Sequence, residues 1–223
     1  MLPLDLTHSL GSKPTILCLG AHPDDIEIGC GATILKLRKQ IPDCHWNWVI
    51  LSGNEIRHEE ARLSAKRFLG EASETNLSLQ SFRDGYLPYE GAQVKDFFES
   101  LKSKIQPDLI FTHYGQDKHQ DHRLVSDLTW NTWRNHLILE YEIPKFDADL
   151  GQPQAFFSFD RETAERKAQT ILETFESQQG KDWFDSDVLL SLMRLRGVEC
   201  NAPKRYAEAF YARKWIWTTE GSS

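Results

Sequence analysis

The chain has 223 residues, 40% of them hydrophobic and 26% charged, the balance of a globular protein with room for one sizeable core. A formal net charge of −7 without a dense lysine and arginine stripe argues against a nucleic-acid or anionic-membrane surface, and no apolar run approaches the roughly 18 residues that would span a bilayer. Cys18, Cys30, Cys44 and Cys200 form no C-x-x-C pair, which argues against both a thiolate zinc site and a disulfide framework. The opening "MLPLDLTHSLGSKP" has no basic start followed by a long apolar segment, so a cytoplasmic location is expected. One domain over 1–223 is expected, with 1–13 set outside its core as a flexible N-terminal arm.

Apolar runs of strand length alternate with segments of helical period, the pattern of an α/β sheet with crossover helices. Thr15 to Leu19 reads as the first strand, 31–40 as a helix, His45 to Leu51 as a second strand, and Glu55 to Leu69 as a helix closed by Gly70. Thr75 to Phe82 reads as a third strand. Val94, Phe97, Phe98, Leu101 and Ile105 then form a helical face before Pro107, and a strand covers Leu109 to Thr112. The loop "HYGQDKHQDH", residues 113–122, leads into a helix marked by Leu124, Val125 and Leu128. Beyond it, "LILEYEIPKF" and "FFSF" read as strands of either sense. Asp160 caps an amphipathic helix over Arg161 to Gln178, a second helix covers Asp187 to Leu195, and "YAEAFYARKWIW" reads as a strand. Trp46, Trp48, Trp215 and Trp217 alternate at strand spacing, which fits sheet packing.

In open α/β sheets ligands collect outside the carboxyl ends of the strands, and both polar clusters of this chain fall there. The first contributes His22, Asp24 and Asp25. The second contributes His113, Asp117, His119, Asp121 and His122, with three of the eight histidines in ten residues. Imidazole and carboxylate suit Zn²⁺, and two histidines with one acid leave positions open for water and substrate, as in a catalytic site. A cation also explains the adjacent aspartates: it holds one ionised and leaves the other free to move a proton. Simple capping of the following helices is the competing explanation for Asp24, Asp25 and Asp121. Glu27 fits a first helical turn, and His8, His45, His58 and His136 have no patterned neighbours. "GCGAT" at 29–33 does not complete G-x-G-x-x-G, and the acids beside it would repel a pyrophosphate, which argues against a dinucleotide site. Two rival classes share the metal pattern: a non-haem Fe(II) oxygenase, and a metal-binding glycan-recognition module without turnover.

"AHPDDIEIGCGAT" with a downstream "HQDH" resembles the PIG-L/LmbE-like family of zinc-dependent N-acetylglucosaminyl deacetylases. The resemblance implies a single-domain, Rossmann-like α/β fold, a mostly parallel sheet flanked by helices with the metal site at the carboxyl ends of the strands. It also implies that His22, Asp25 and His122 hold Zn²⁺, with Fe²⁺ or another divalent ion as the alternative. Asp24 would be the general base, His119 a protonated oxyanion stabiliser oriented by Asp121, and Arg57 a substrate contact. The reaction implied is removal of acetyl from an N-acetylated amino sugar or glycoconjugate, giving acetate and a free amine. The partners expected are that small-molecule or glycoconjugate substrate, with no nucleic acid and no membrane; a homo-oligomer is compatible with the sequence. Two positions depart from the common family pattern: Ile26 separates the aspartates from Glu27, and Gln120 stands where proline is frequent.

Overall fold

Residues 3–70 and 75–216 are described in the computed structural model. Five parallel strands run in the order β3 (Thr75–Phe82), β2 (His45–Ser52), β1 (Thr15–Gly20), β4 (Leu109–His113) and β5 (Leu137–Tyr141). The sheet continues through β7 (Tyr206–Tyr211), antiparallel to β5, to the edge strand β6 (Ala155–Phe159), antiparallel to β7. The two strands left without a sense by the sequence therefore differ: β5 joins the parallel set and β6 does not.

The inner parallel strands β1, β2 and β4 are largely apolar because both faces are covered, whereas β3, at the edge, is more polar and is exposed or half-buried along its length. Ile16, Cys18, Trp46, Trp48, Ile50, Leu109 and Phe111 project into one core, while Leu17, Leu19, Val49, Leu51 and Ile110 project into the other. The first core is closed by α2 (Asp25–Gln40), α3 (Glu55–Leu69), α6 (Arg161–Thr174) and α7 (Ser186–Glu199); the second by α4 (Gly91–Lys104) and α5 (Gln120–Thr132). Adjacent β1 and β4 send their helices, α2 and α5, to opposite faces. That reversal leaves a crevice at their carboxyl ends, the usual ligand position in such sheets.

Several boundaries differ from the sequence expectation. Residues within 1–13 include a helix, α1 (Leu6–Leu10), capped by the Asp5 carboxylate, with Leu6 and Leu10 against the first core; that part of the expected flexible arm is ordered structure. The helix expected to end at Gln178 stops at Thr174, followed by a 3-10 turn over Glu176–Gln178. Helix α7 extends to Glu199, beyond the expected Leu195. The last strand ends at Tyr211; Trp215 lies beyond it, and Trp217 falls outside the described residues. Among the described residues no helix is long and apolar enough to cross a membrane.

Helix α2 starts at Asp25, six residues before the expected 31, and breaks at Cys30, whose φ of −143° is not helical. The glycines on either side make the break possible. A Cβ on Gly29 would stand 2.2 Å from the Tyr141 ring, and one on Gly31 would stand 2.7 Å from Phe68. Both open ends of the break are closed by a buried ion pair. Lys167 Nζ donates to Ile28 O at 2.6 Å and to Glu208 Oε1 at 2.6 Å. Glu208 accepts from Ala32 N at 2.8 Å and Thr33 N at 2.7 Å, so its carboxylate caps the second half of the helix. "GCGAT" is thus a packing and capping device.

Candidate metal centre

His22 and Asp25 come from the turn between β1 and α2, and His122 from the first turn of α5. The structure brings these three together. His22 Nδ1 lies 3.2 Å from His122 Nε2 and 3.3 Å from Asp25 Oδ2, and His122 Nε2 lies 3.5 Å from Asp25 Oδ1. Ligand atoms around a tetrahedral ion with bonds near 2.0–2.1 Å stand about 3.3 Å apart, the scale of these contacts, and the donor atoms close enough to share one ion group as His22, His119 and His122, as Asp25, His113 and His122, and as His22, Asp84 and Asp121. All three residues are buried.

Hydrogen bonds orient each imidazole from its far side. His122 Nδ1 meets Asp117 Oδ2 at 2.9 Å, which leaves Nε2 to face the cluster. His22 Nε2 lies 3.2 Å from Asp121 Oδ2 and 3.1 Å from Asp84 Oδ1, which leaves Nδ1 inward. Burial, reinforced by the charge of His113, lowers the His122 pKa to about 4, so its imidazole is neutral and ready to ligate. Burial disfavours charge on His22, but Asp25, Asp121 and Asp84 outweigh it and raise its pKa well above the ordinary value. Burial also works against charge on Asp25, yet His122, His113 and His22 hold that carboxyl well below the usual range. Three carboxylates around one imidazole form a site that calls for positive charge, which is the electrostatic half of the fit to a cation.

Asp24 is only 4% exposed and occupies the N-cap position of α2, but its side chain makes no capping bond. Its φ of 108° places it in left-handed backbone that non-glycine residues seldom adopt, and such strain gathers at functional sites. Burial raises its pKa to about 7, although the Arg57 guanidinium, 3.1 Å from Oδ1, pulls the other way. Helix capping therefore does not account for this acid. Asp121 is likewise not spent on its own helix: it accepts from Gly85 N at 2.7 Å and Leu87 N at 3.1 Å, tying the loop after β3 to the site.

The structure differs from one expected relation. The Asp121 carboxylate contacts His22 and not the His119 side chain; instead, His119 Nδ1 accepts the Asp121 backbone N–H at 3.3 Å. The reason is local, because His119 is the extended N-cap of α5 while Asp121 is already in its first turn and directs its carboxylate toward the 83–87 loop. His119 was expected to be protonated, yet burial and the nearby charge of His22 lower its pKa. Arg57, for which the resemblance implies a substrate contact, lies beside Asp24. Its guanidinium donates to Pro23 O as well as pairing with Asp24, while its Nε is buried without a partner.

Asp84 and Lys145 escaped the sequence reading. Asp117 and His113 were named there without a role; His113 stacks on His122 with ring centroids 3.9 Å apart and lies 3.1 Å from Asp25 Oδ2. Burial raises the Asp117 pKa, but the hydrogen bond and charge of His122, the charge of His113 and the Lys145 ammonium prevail, and the carboxyl stays well below the usual range. Glu27 is fully buried, and burial pushes its carboxyl up to about 8.

Residues 17–133 match the family model described as PIG-L, GlcNAc-PI de-N-acetylase. The chain is 31% identical over 173 residues to the uncharacterized deacetylase YaiS of Escherichia coli (strain K12), an alignment covering 70% of this chain and 88% of that protein. Its structure is similar to N,N'-diacetylchitobiose deacetylase from Pyrococcus horikoshii, with a TM-score of 0.72, 23% identity, and 93% of this chain and 86% of that one covered. It is also similar to GalB, the 4-carboxy-2-hydroxymuconate hydratase of Pseudomonas putida KT2440, with a TM-score of 0.72, 15% identity, and 94% of this chain and 100% of that one covered. The two structural likenesses show the fold alone, and the hydratase marks how little the fold restricts the chemistry. Family match and sequence relative together define the chain as a deacetylase with an α/β fold and a candidate metal centre. It belongs to the PIG-L family.

Proposed function

We propose that the protein hydrolyses the acetamide of an N-acetylated amino sugar or glycoconjugate to acetate and a free amine, with Zn²⁺ held by His22, Asp25 and His122. The observation that carries this reading is the convergence of His22 Nδ1, His122 Nε2 and the two oxygens of the Asp25 carboxylate, in contact at 3.2–3.5 Å, beside a second, buried carboxylate. Neutral imidazole with carboxylate is a donor set suited to zinc. A bound divalent ion would supply Lewis acidity and lower the pKa of adjacent water, making hydroxide accessible near neutral pH.

The chain's own groups supply the rest. Asp24, with its proton affinity raised to about 7, is matched to take a proton from the attacking water and return it to the departing nitrogen. Arg57 holds that carboxylate and the preceding carbonyl, which makes it a positioning residue for the base. His119, accepting a backbone N–H at Nδ1, carries the proton of its neutral form on Nε2 and can donate it as a hydrogen bond to the carbonyl oxygen as charge develops there. Asp121 and Asp84 fix His22 from behind.

The test is acetate release from a panel of N-acetylated mono- and disaccharides, with and without chelator. Chelator-sensitive acetate is the expected result. Saturable sugar binding with no acetate under any metal condition would defeat the reading in favour of a recognition module.

A further inference from the structure

The segment 142–154 leaves the carboxyl end of β5 and returns along β6, so it begins at the same end of the sheet as the metal centre. Its Lys145 side chain is 12% exposed, and Nζ lies 2.9 Å from Asp117 Oδ2 and 2.6 Å from Asp149 Oδ2. Asp117 Oδ2 is the oxygen that meets His122 Nδ1 at 2.9 Å, while Oδ1 accepts the His119 backbone N–H at 2.7 Å. Asp149 accepts the Lys118 backbone N–H at 2.7 Å. One ammonium therefore joins the loop after β4, which carries His122, to the loop after β5.

An imidazole that ligates through Nε2 is aimed by whatever holds Nδ1, and the carboxylate doing so is itself usually held by further bonds. Here that further bond comes from a lysine of the neighbouring loop, whose other partner, Asp149, lies four residues on in the same segment. We propose that Lys145 is a positioning residue for the metal centre: its bond to Asp117 fixes the His122 ring and at the same time couples the 142–154 loop, whose Asp149 it also holds, to metal occupancy. The proposal rests on the metal reading of His22, Asp25 and His122. Coupling of this kind is reciprocal, so whatever affinity Lys145 adds for the ion, the ion returns as order in the loop. Phe146 (76% exposed) and Leu150 (44%) mark the segment's tip; beside Lys145, it is held by Asp149 on the Lys118 N–H, by the Glu142–Arg196 pair at its start, and by Gly151, which donates to Tyr211 Oη at 2.9 Å and accepts from Arg196 at 3.2 Å.

The test compares wild type, Lys145→Met and Lys145→Arg by Zn²⁺ titration against a chelating dye, with hydrogen exchange over 142–154 measured with and without Zn²⁺. Lys145→Met is expected to weaken Zn²⁺ binding by about 10–100-fold, beyond what any drop in the melting point of the metal-free protein accounts for, and Lys145→Arg to restore most of it. Zinc should slow exchange in 142–154 of wild type and leave that of Lys145→Met unaltered. Asp149→Asn, which spares the bond to Asp117, provides the second variant: affinity should fall less than in Lys145→Met, and zinc-dependent protection should persist around Lys145 while weakening toward residue 149. Wild-type affinity in Lys145→Met, the outcome for a surface ion pair of no consequence, overturns the proposal. So does exchange in the wild-type loop that ignores zinc. A wild type that takes up no Zn²⁺ overturns the metal reading itself, which separates the two failures.

Discussion

Asp24 and Asp25 are neighbours in sequence with opposite fates. Asp25 is held well below the usual carboxylate range by the imidazoles that face it, whereas Asp24, set apart by its left-handed backbone and burial, keeps a proton affinity near neutrality. A carboxylate pair whose members are pushed in opposite directions divides into a ligand and a proton carrier. Asp24→Asn should therefore retain a full equivalent of zinc by elemental analysis yet lose about 10²–10⁴-fold in kcat, because an amide cannot accept the proton. Near-native turnover at equal zinc content would remove Asp24 from the role of base. His122→Ala should fail differently, losing bound zinc on dialysis, since its Nε2 is one of the three converging donors. The residue types in "AHPDD" and "HQDH" already suggest such a division in the sequence, and the structure adds the burial and proximity of these side chains. The side-chain relations inside the second motif were not legible there, because a two-residue spacing across a helix N-cap does not say whether His119 meets the carboxylate or the N–H of Asp121.

At the scale of elements, the break in α2 decides where the aspartates stand. The first turn, Asp25 to Ile28, is separated from the remainder of the helix by the non-helical Cys30, and its last carbonyl is held by Lys167. Lys167 and Glu208 are 2% and 3% exposed, so removing one charge leaves the other buried without its counterpart. Lys167→Met should lower stability by about 3–5 kcal/mol in urea unfolding, with the midpoint displaced and the slope retained. A loss below about 1 kcal/mol, the range of an exposed pair, would show that the break is secured by packing of Tyr141 and Phe68 alone. The sequence offered a start for this helix at 31, since glycine at 29 and 31 lowers helical propensity whatever the tertiary context. The compensating charge lies on α6 and β7, more than a hundred residues away, and local pattern cannot see it.

At the scale of the whole molecule, periodicity located nearly every parallel strand but could not order them. The order β3-β2-β1-β4-β5 places the loops after β3 and β5 around the site, and with them Asp84 and Lys145, a lone acid and a lone lysine that carry no motif. The same order would make an ion held by the proposed ligands a cross-link: His22 and Asp25 follow β1, His122 follows β4, and β1 and β4 are neighbours only in the folded sheet. Unfolding separates these donors, so an ion that prefers their folded arrangement must stabilise the fold. Zinc at a hundred times its dissociation constant contributes about 2.7 kcal/mol, which for a chain of this length raises the melting point by roughly 5–11 °C over chelator-treated protein. Binding of zinc to histidines of the unfolded chain would reduce that rise, so the comparison needs His122→Ala beside it. In that variant the shift should largely vanish. An equal shift in both proteins would mean that the ion binds elsewhere, and no shift in either would mean that the two loops do not close on a common ion in solution.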